Sequence, residues 1–101
     1  MEVRPGMRLR SVVCETEVVV VRAPEVQVDI RCGGHPMHPV AGDLPPGDRG
    51  ISETSGTLLG KRYAHDATGL EVLCTKPGAG GLTVGAERVP VKAAKALPSS
   101  D

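Results

Sequence analysis

Val and Thr dominate the chain from Leu9 to Arg22, and their branched Cβ atoms suit a pleated strand better than a helix. The pattern predicts one long strand there. Ala23-Pro24-Glu25 interrupts it, because proline cannot donate to a ladder and favours turns. Val26-Gln27-Val28-Asp29-Ile30-Arg31-Cys32 then alternates apolar and polar with the period of a half-buried strand. The two segments read as a hairpin with Val26, Val28, Ile30 and Cys32 inside and Gln27, Asp29 and Arg31 outside. The same period groups Cys14 and Thr16 with Val18 and Val20, leaving Glu15 and Glu17 opposite. With the turn centred on Ala23-Pro24, Cys14 lies across from Cys32 to within about two residues of register.

Gly33-Gly34-His35-Pro36-Met37-His38-Pro39 is a glycine-opened turn, and residues 42–56, rich in Gly, Pro, Asp and Ser, predict a long surface loop. Thr57 to Tyr63 reads as a short strand ahead of a turn at Ala64–Gly69. Leu70-Glu71-Val72-Leu73-Cys74-Thr75 alternates again and turns Leu70, Val72 and Cys74 to one face. The glycine-rich Lys76–Gly81 then predicts a second hairpin closed by Leu82-Thr83-Val84. Arg88-Val89-Pro90-Val91 suits only an edge, since Pro90 would spoil a central strand. Lys92 to Leu97 allows one or two helical turns before Pro98. The two hairpins echo each other weakly, with Glu17-Val18 and Glu71-Val72 at comparable positions. The expected fold is all-β, a single small domain over 1–101 built of two antiparallel hairpins, with a surface loop at 42–56 and a flexible tail at 98–101.

A chain of 101 residues suits one core, since domains of roughly 100–150 residues are the commonest size. Lys plus Arg equals Asp plus Glu at 12 each, so the broad basic surface needed for nucleic acid or anionic membranes is missing. Tyr63 is the single aromatic, which also removes the stacking platforms of single-strand binders. An aliphatic core buries less area per residue, so a metal, a crosslink or a partner subunit would help to stabilise it. Met1-Glu2-Val3-Arg4-Pro5-Gly6 is charged and has no apolar signal region, and the longest apolar run, Val18 to Val21, is too short to span a membrane. These features predict a cytoplasmic location. Cysteines there are expected as thiols or metal ligands rather than permanent disulfides.

The segment Cys14-Glu15-Thr16-Glu17, followed by Val18-Val19-Val20-Val21 and then Arg31-Cys32-Gly33-Gly34-His35-Pro36-Met37, resembles the desulforedoxin-type small iron domain, also found at the N-terminus of desulfoferrodoxins. That family runs from a CxxC knuckle through a Glu-Val-containing strand and a glycine-rich turn to a CCGxPM knuckle. The resemblance covers about a quarter of the chain. It implies a desulforedoxin-like fold and a tetrahedral iron site of four thiolates. Glu17 stands where the second knuckle cysteine would be, and Arg31 precedes Cys32 where the family has a cysteine pair. An Fe(Cys)4 site therefore cannot be assembled from this segment of one chain.

Three cysteines on inward strand positions define the sharpest chemical hypothesis, a metal site of Cys14, Cys32 and Cys74 completed by His35, with His38 and His65 as alternative ligands. Thiolate and imidazole together suit zinc, and iron is the other candidate. The competing reading takes all three cysteines as small buried hydrophobes with no cofactor. Redox chemistry and a nucleophilic cysteine are weaker alternatives, because a reactive thiol needs a depressed pKa and a cleft. His65 beside Asp66 reads as a solvated turn, and Gly78-Ala79-Gly80-Gly81 lacks the Lys-Ser/Thr of a P-loop. Tyr63 beside Lys61-Arg62 is either an interface anchor or the one core aromatic. Three functions stay open: a non-catalytic accessory or interaction protein with an intact or degenerate metal site, a partner-dependent thiol- or metal-assisted enzyme subunit, and a metal-free structural module. A protein partner or homo-oligomer is expected in each, with no nucleic acid and no membrane.

Overall fold

The computed structural model describes residues 1–41 and 50–92, which contain strands and no helix. In chain order the strands are β1 (Arg8–Arg10), β2 (Glu17–Arg22), β3 (Ile30–Cys32), β4 (His35–Pro36), β5 (His38–Pro39), β6 (Arg62–His65), β7 (Leu70–Lys76), β8 (Leu82–Val84) and β9 (Glu87–Arg88). They form two antiparallel sheets, of order β5-β1-β2-β7-β6 and β4-β3-β8-β9. The expected all-β class is therefore observed. The helical turns expected at 92–97 fall almost wholly on, and the tail at 98–101 wholly on, residues outside the described ones, as does much of the 42–56 loop.

β2 and β7 are the centre of the larger sheet, where Val18 faces Cys74 and Val20 faces Val72. All four are buried and belong to one core cluster that also holds Leu9 and Leu70 of this sheet and Ile30, Cys32 and Leu82 of the other. Each such aliphatic side chain contributes about 1.5–3 kcal/mol on full burial, so the core is built from many similar increments. Tyr63 joins it, its hydroxyl accepting a hydrogen bond from the Leu58 amide at 2.9 Å, so it is the core aromatic. Two carboxylates are buried at the sheet margin. Glu17 meets Lys76 at 3.1 Å and Arg8 at 3.7 Å, and Glu71 meets Lys92 at 3.0 Å and Arg62 at 3.4 Å. The echo of Glu17-Val18 and Glu71-Val72 thus places matched ion-paired carboxylates on neighbouring strands.

Strand pairing departs from both expected hairpins. The run Leu9–Arg22 is two strands, because Ser11 folds the chain back on itself. The Ser11 amide donates to the Thr16 carbonyl at 2.9 Å, while its hydroxyl accepts from the amides of Val13 (3.1 Å) and Cys14 (3.2 Å). A serine side chain that satisfies nearby amides competes with the ladder, and Val-rich propensity does not outweigh it. β1 then pairs with β2, Leu9 opposite Val18. The segment 23–29 crosses to the other sheet instead of turning, with the Val28 amide bonded to the Met1 carbonyl at 2.9 Å. Val26, expected inside, is 63% exposed, whereas Val28 is buried. β3 pairs with β8, not with β2, and the 77–81 segment likewise crosses between sheets rather than closing a β7–β8 hairpin.

Candidate functional site

The two crossings and the Ser11 turn converge on Cys14 and Cys32, whose sulfurs lie 3.8 Å apart. Cys32 ends β3 and is fully buried; Cys14 sits in the 11–16 turn and is half-buried. The turn wraps its own hydroxyls around the outer sulfur. Cys14 Sγ is 3.3 Å from Ser11 Oγ and 3.2 Å from Thr16 Oγ1. Thr16 is itself fully buried, so its hydroxyl has the thiol as its partner rather than water.

Glycines make the third wall. A Cβ on Gly78 would lie 2.7 Å from the Thr16 amide nitrogen and 3.0 Å from Cys14 Sγ, so only glycine lets the 77–81 segment lie against the thiol. A Cβ on Gly80 would lie 2.8 Å from both Cα and N of Gly33 and 3.2 Å from Cys32 Sγ. Thr57 clamps this segment, exchanging backbone bonds with Gly78 and donating its hydroxyl to the Gly80 carbonyl at 2.6 Å. That same carbonyl is 3.5 Å from Cys32 Sγ. The glycine-rich run is therefore a seat for two sulfurs, not the hairpin turn its composition predicts.

This packing drives the two thiols apart electrostatically. Burial pushes Cys14 up, but the hydroxyls of Ser11 and Thr16 and the backbone amides of Thr16 and Gly80 stabilise its thiolate and lower it from 9.0 to about 7. Cys32 moves the other way, to about 11, through burial first and the neighbouring Cys14 charge second. Cys14 faces an open groove of about 380 Å³ lined by Arg10, Glu15, Thr16, Glu17, Lys76 and Pro77. At neutral pH the site offers a solvent-reachable cysteine, about half of it thiolate, backed by a protonated thiol.

Of the four residues expected to share a metal, the fold brings together Cys14 and Cys32 alone. Cys74 lies on β7 with its thiol donating to the Lys76 carbonyl at 3.1 Å, and burial raises its pKa. His35 lies on β4, its Nε2 3.0 Å from the Gly50 carbonyl. Among the described residues no three of His, Cys, Asp or Glu gather into a metal-holding group. The 3.8 Å edge alone would suit two thiolates on zinc, at a Zn–S distance of about 2.3 Å. Among the described residues of one chain, Cys14 and Cys32 supply two of the four ligands that a tetrahedral zinc or iron centre takes. His65 is also not the solvated residue that its turn suggests. It is buried, with Nε2 2.9 Å from Glu87 and Nδ1 2.8 Å from Thr68, and Asp66 takes no part in these bonds.

Sequence reasoning passed over Ser11, Thr16, Thr57, Gly78 and Gly80. The available signal was a pair of hydroxyl residues bracketing Cys14 within a valine-rich run, where each buried hydroxyl must find a partner. Comparisons of this chain with protein-family models, with curated proteins and with solved structures find no match.

Proposed function

We propose that this protein is thiol-dependent, with Cys14 as its reactive group. The observation that carries the reading is the seat of Cys14: half-exposed on a groove, between two hydroxyls, and against a second sulfur at 3.8 Å. A cysteine that served only as a small core hydrophobe would need neither the groove nor the two hydroxyls at its sulfur, of which the Thr16 hydroxyl is fully buried against it. The reading supports the partner-dependent thiol subunit over the metal-binding accessory. Exposed Leu58, Leu59 and Val91 beside a second groove favour a protein partner or second copy. A reducing compartment such as the cytoplasm suits a protein whose thiol must stay reduced; among the described residues no helix is long and apolar enough to cross a membrane.

The test is the rate of alkylation of each cysteine by iodoacetamide as a function of pH, read by peptide mass spectrometry. Cys14 is expected to react first, with a midpoint near 7, ahead of Cys32 and Cys74. A Cys14 profile that rises only around the ordinary thiol value would remove the basis of the proposal.

A further inference from the structure

Resting on that reading, we propose that Cys14 and Cys32 form a two-electron dithiol–disulfide couple that reduces a disulfide presented in the groove beside Cys14. The geometry divides the roles. Only Cys14 reaches the groove, so it makes the first attack, and Cys32 lies directly behind it with no accessible surface. Nothing stands between the sulfurs. They must close from 3.8 Å to the bonding distance of about 2.05 Å, a movement of about 1.8 Å. Cys14 is the sulfur with more room to move, since it lies in a turn and borders the open groove, whereas Cys32 belongs to a strand paired on both sides with β4 and β8.

The steps balance. The Cys14 thiolate attacks one sulfur of the substrate disulfide, forming a mixed disulfide and expelling the other half as a thiolate, which takes a proton from water. Cys32, which has no surface of its own, then attacks Cys14 Sγ as its proton passes to the departing sulfur. The Cys14–Cys32 bond forms, the bond to the substrate breaks, and the second half leaves as a thiol. Two electrons pass from the cysteines to the substrate, and a cellular dithiol restores the reduced chain. Burial chiefly keeps Cys32 protonated and the charge on Cys14 adds to it; forming the mixed disulfide removes that second contribution.

The groove is open and lined by both signs of charge, with Arg10 and Lys76 against Glu15 and Glu17, so it admits a polar disulfide of either low-mass or protein origin. Reduced, metal-stripped protein is therefore challenged with oxidised glutathione in one arm and insulin in the other, then quenched with acid and weighed intact. The expected product is chain lighter by two hydrogen atoms, with Cys14 joined to Cys32 in the peptide map and Cys74 still free; the arm that is faster identifies the source. Cys32→Ala is expected to accumulate the Cys14 mixed disulfide, and Cys14→Ser to stay unchanged. The wild-type mass decides even if a variant fails to fold. A lasting glutathione adduct on wild-type Cys14 with Cys32 free, or no reaction in either arm, overturns the couple. Stoichiometric zinc or iron on the protein as purified, released by Cys14→Ser, also overturns it. The thiol-dependent reading fails separately, by the alkylation profile.

Discussion

Replacing Thr16 by Val isolates the hydroxyl contribution at the candidate site. Thr16 is fully buried, its hydroxyl lies 3.2 Å from Cys14 Sγ, and Val preserves both branching and strand preference. Ser11 is a poorer choice, since its hydroxyl also accepts the Val13 and Cys14 amides and its loss would open the turn. A hydrogen bond to a charged acceptor is worth about 1.5–3 kcal/mol, and exposure of the Cys14 thiol brings the figure down to about 1 kcal/mol. At 1.36 kcal/mol per unit, the midpoint should rise by about 0.7. The thiolate fraction at pH 7 then falls from about one half to about one sixth. The rate falls less, because a thiolate of higher pKa is the better nucleophile. With a Brønsted slope of about 0.4–0.5, the gain is about twofold. Thr16→Val should therefore react about 1.5-fold more slowly at neutral pH and about twofold faster once fully ionised. The assay is stopped-flow exchange with an aromatic disulfide across neutral and alkaline pH, in a Cys32→Ala background that reports the first attack alone. A midpoint unmoved by the substitution, or two curves that do not cross, would refute the argument that the hydroxyls hold the thiolate.

Gly80→Ala drives a methyl against the Gly33 backbone, which has no flexible end to yield, and should cost about 2–3 kcal/mol by urea denaturation while slowing Cys32 resolution; unchanged stability would contradict the close packing of the two crossings. Glu71→Gln removes the buried partner of Lys92 and Arg62 and should cost about 1–2 kcal/mol. The Lys92 hydrogen bond, opposed by burial and aided by both cations, holds Glu71 below its ordinary carboxylate range, so that contribution is present at neutral pH and lost as pH falls through the lowered value. Wild type and Glu71→Gln should converge in stability there. On the alkaline side the two site cysteines act with opposite signs. Cys14, lowered to about 7, adds stability as pH rises from 7 towards 9.0; Cys32, raised to about 11, contributes fully below 9.0 and withdraws that stability as pH climbs to 11. Cys32→Ala should flatten the alkaline limb of the urea-midpoint profile, leaving the part owed to Cys74, whose thiol burial also raises, and persistence of the full limb would count against a buried protonated Cys32.

Much of the secondary structure was legible because alternation depends only on neighbours. Val18, Val20, Ile30, Cys32, Leu70, Val72 and Cys74 are inside as their period requires, and the all-β class follows from them. The same logic assigned Val26 wrongly, since a crossing segment has no sheet face to alternate against. Cys14 and Cys32 do meet, but through the Ser11 turn and not through the hairpin register that suggested it.

The sequence by itself determined that this chain is β, aliphatic in its core and equipped with two inward thiols, Cys32 and Cys74; the third, Cys14, was expected inward on a strand and instead stands half-exposed in a turn. Which thiols meet, and what surrounds them, was decided by tertiary structure alone. Strand partners are chosen by burial summed over two sheets, a quantity no local pattern contains. The pKa of Cys14 likewise depends on how the Ser11 turn folds its own hydroxyls onto the sulfur and on a glycine segment delivered from a remote part of the chain. A cysteine's residue type states that it can ionise. Only its neighbours in space state when.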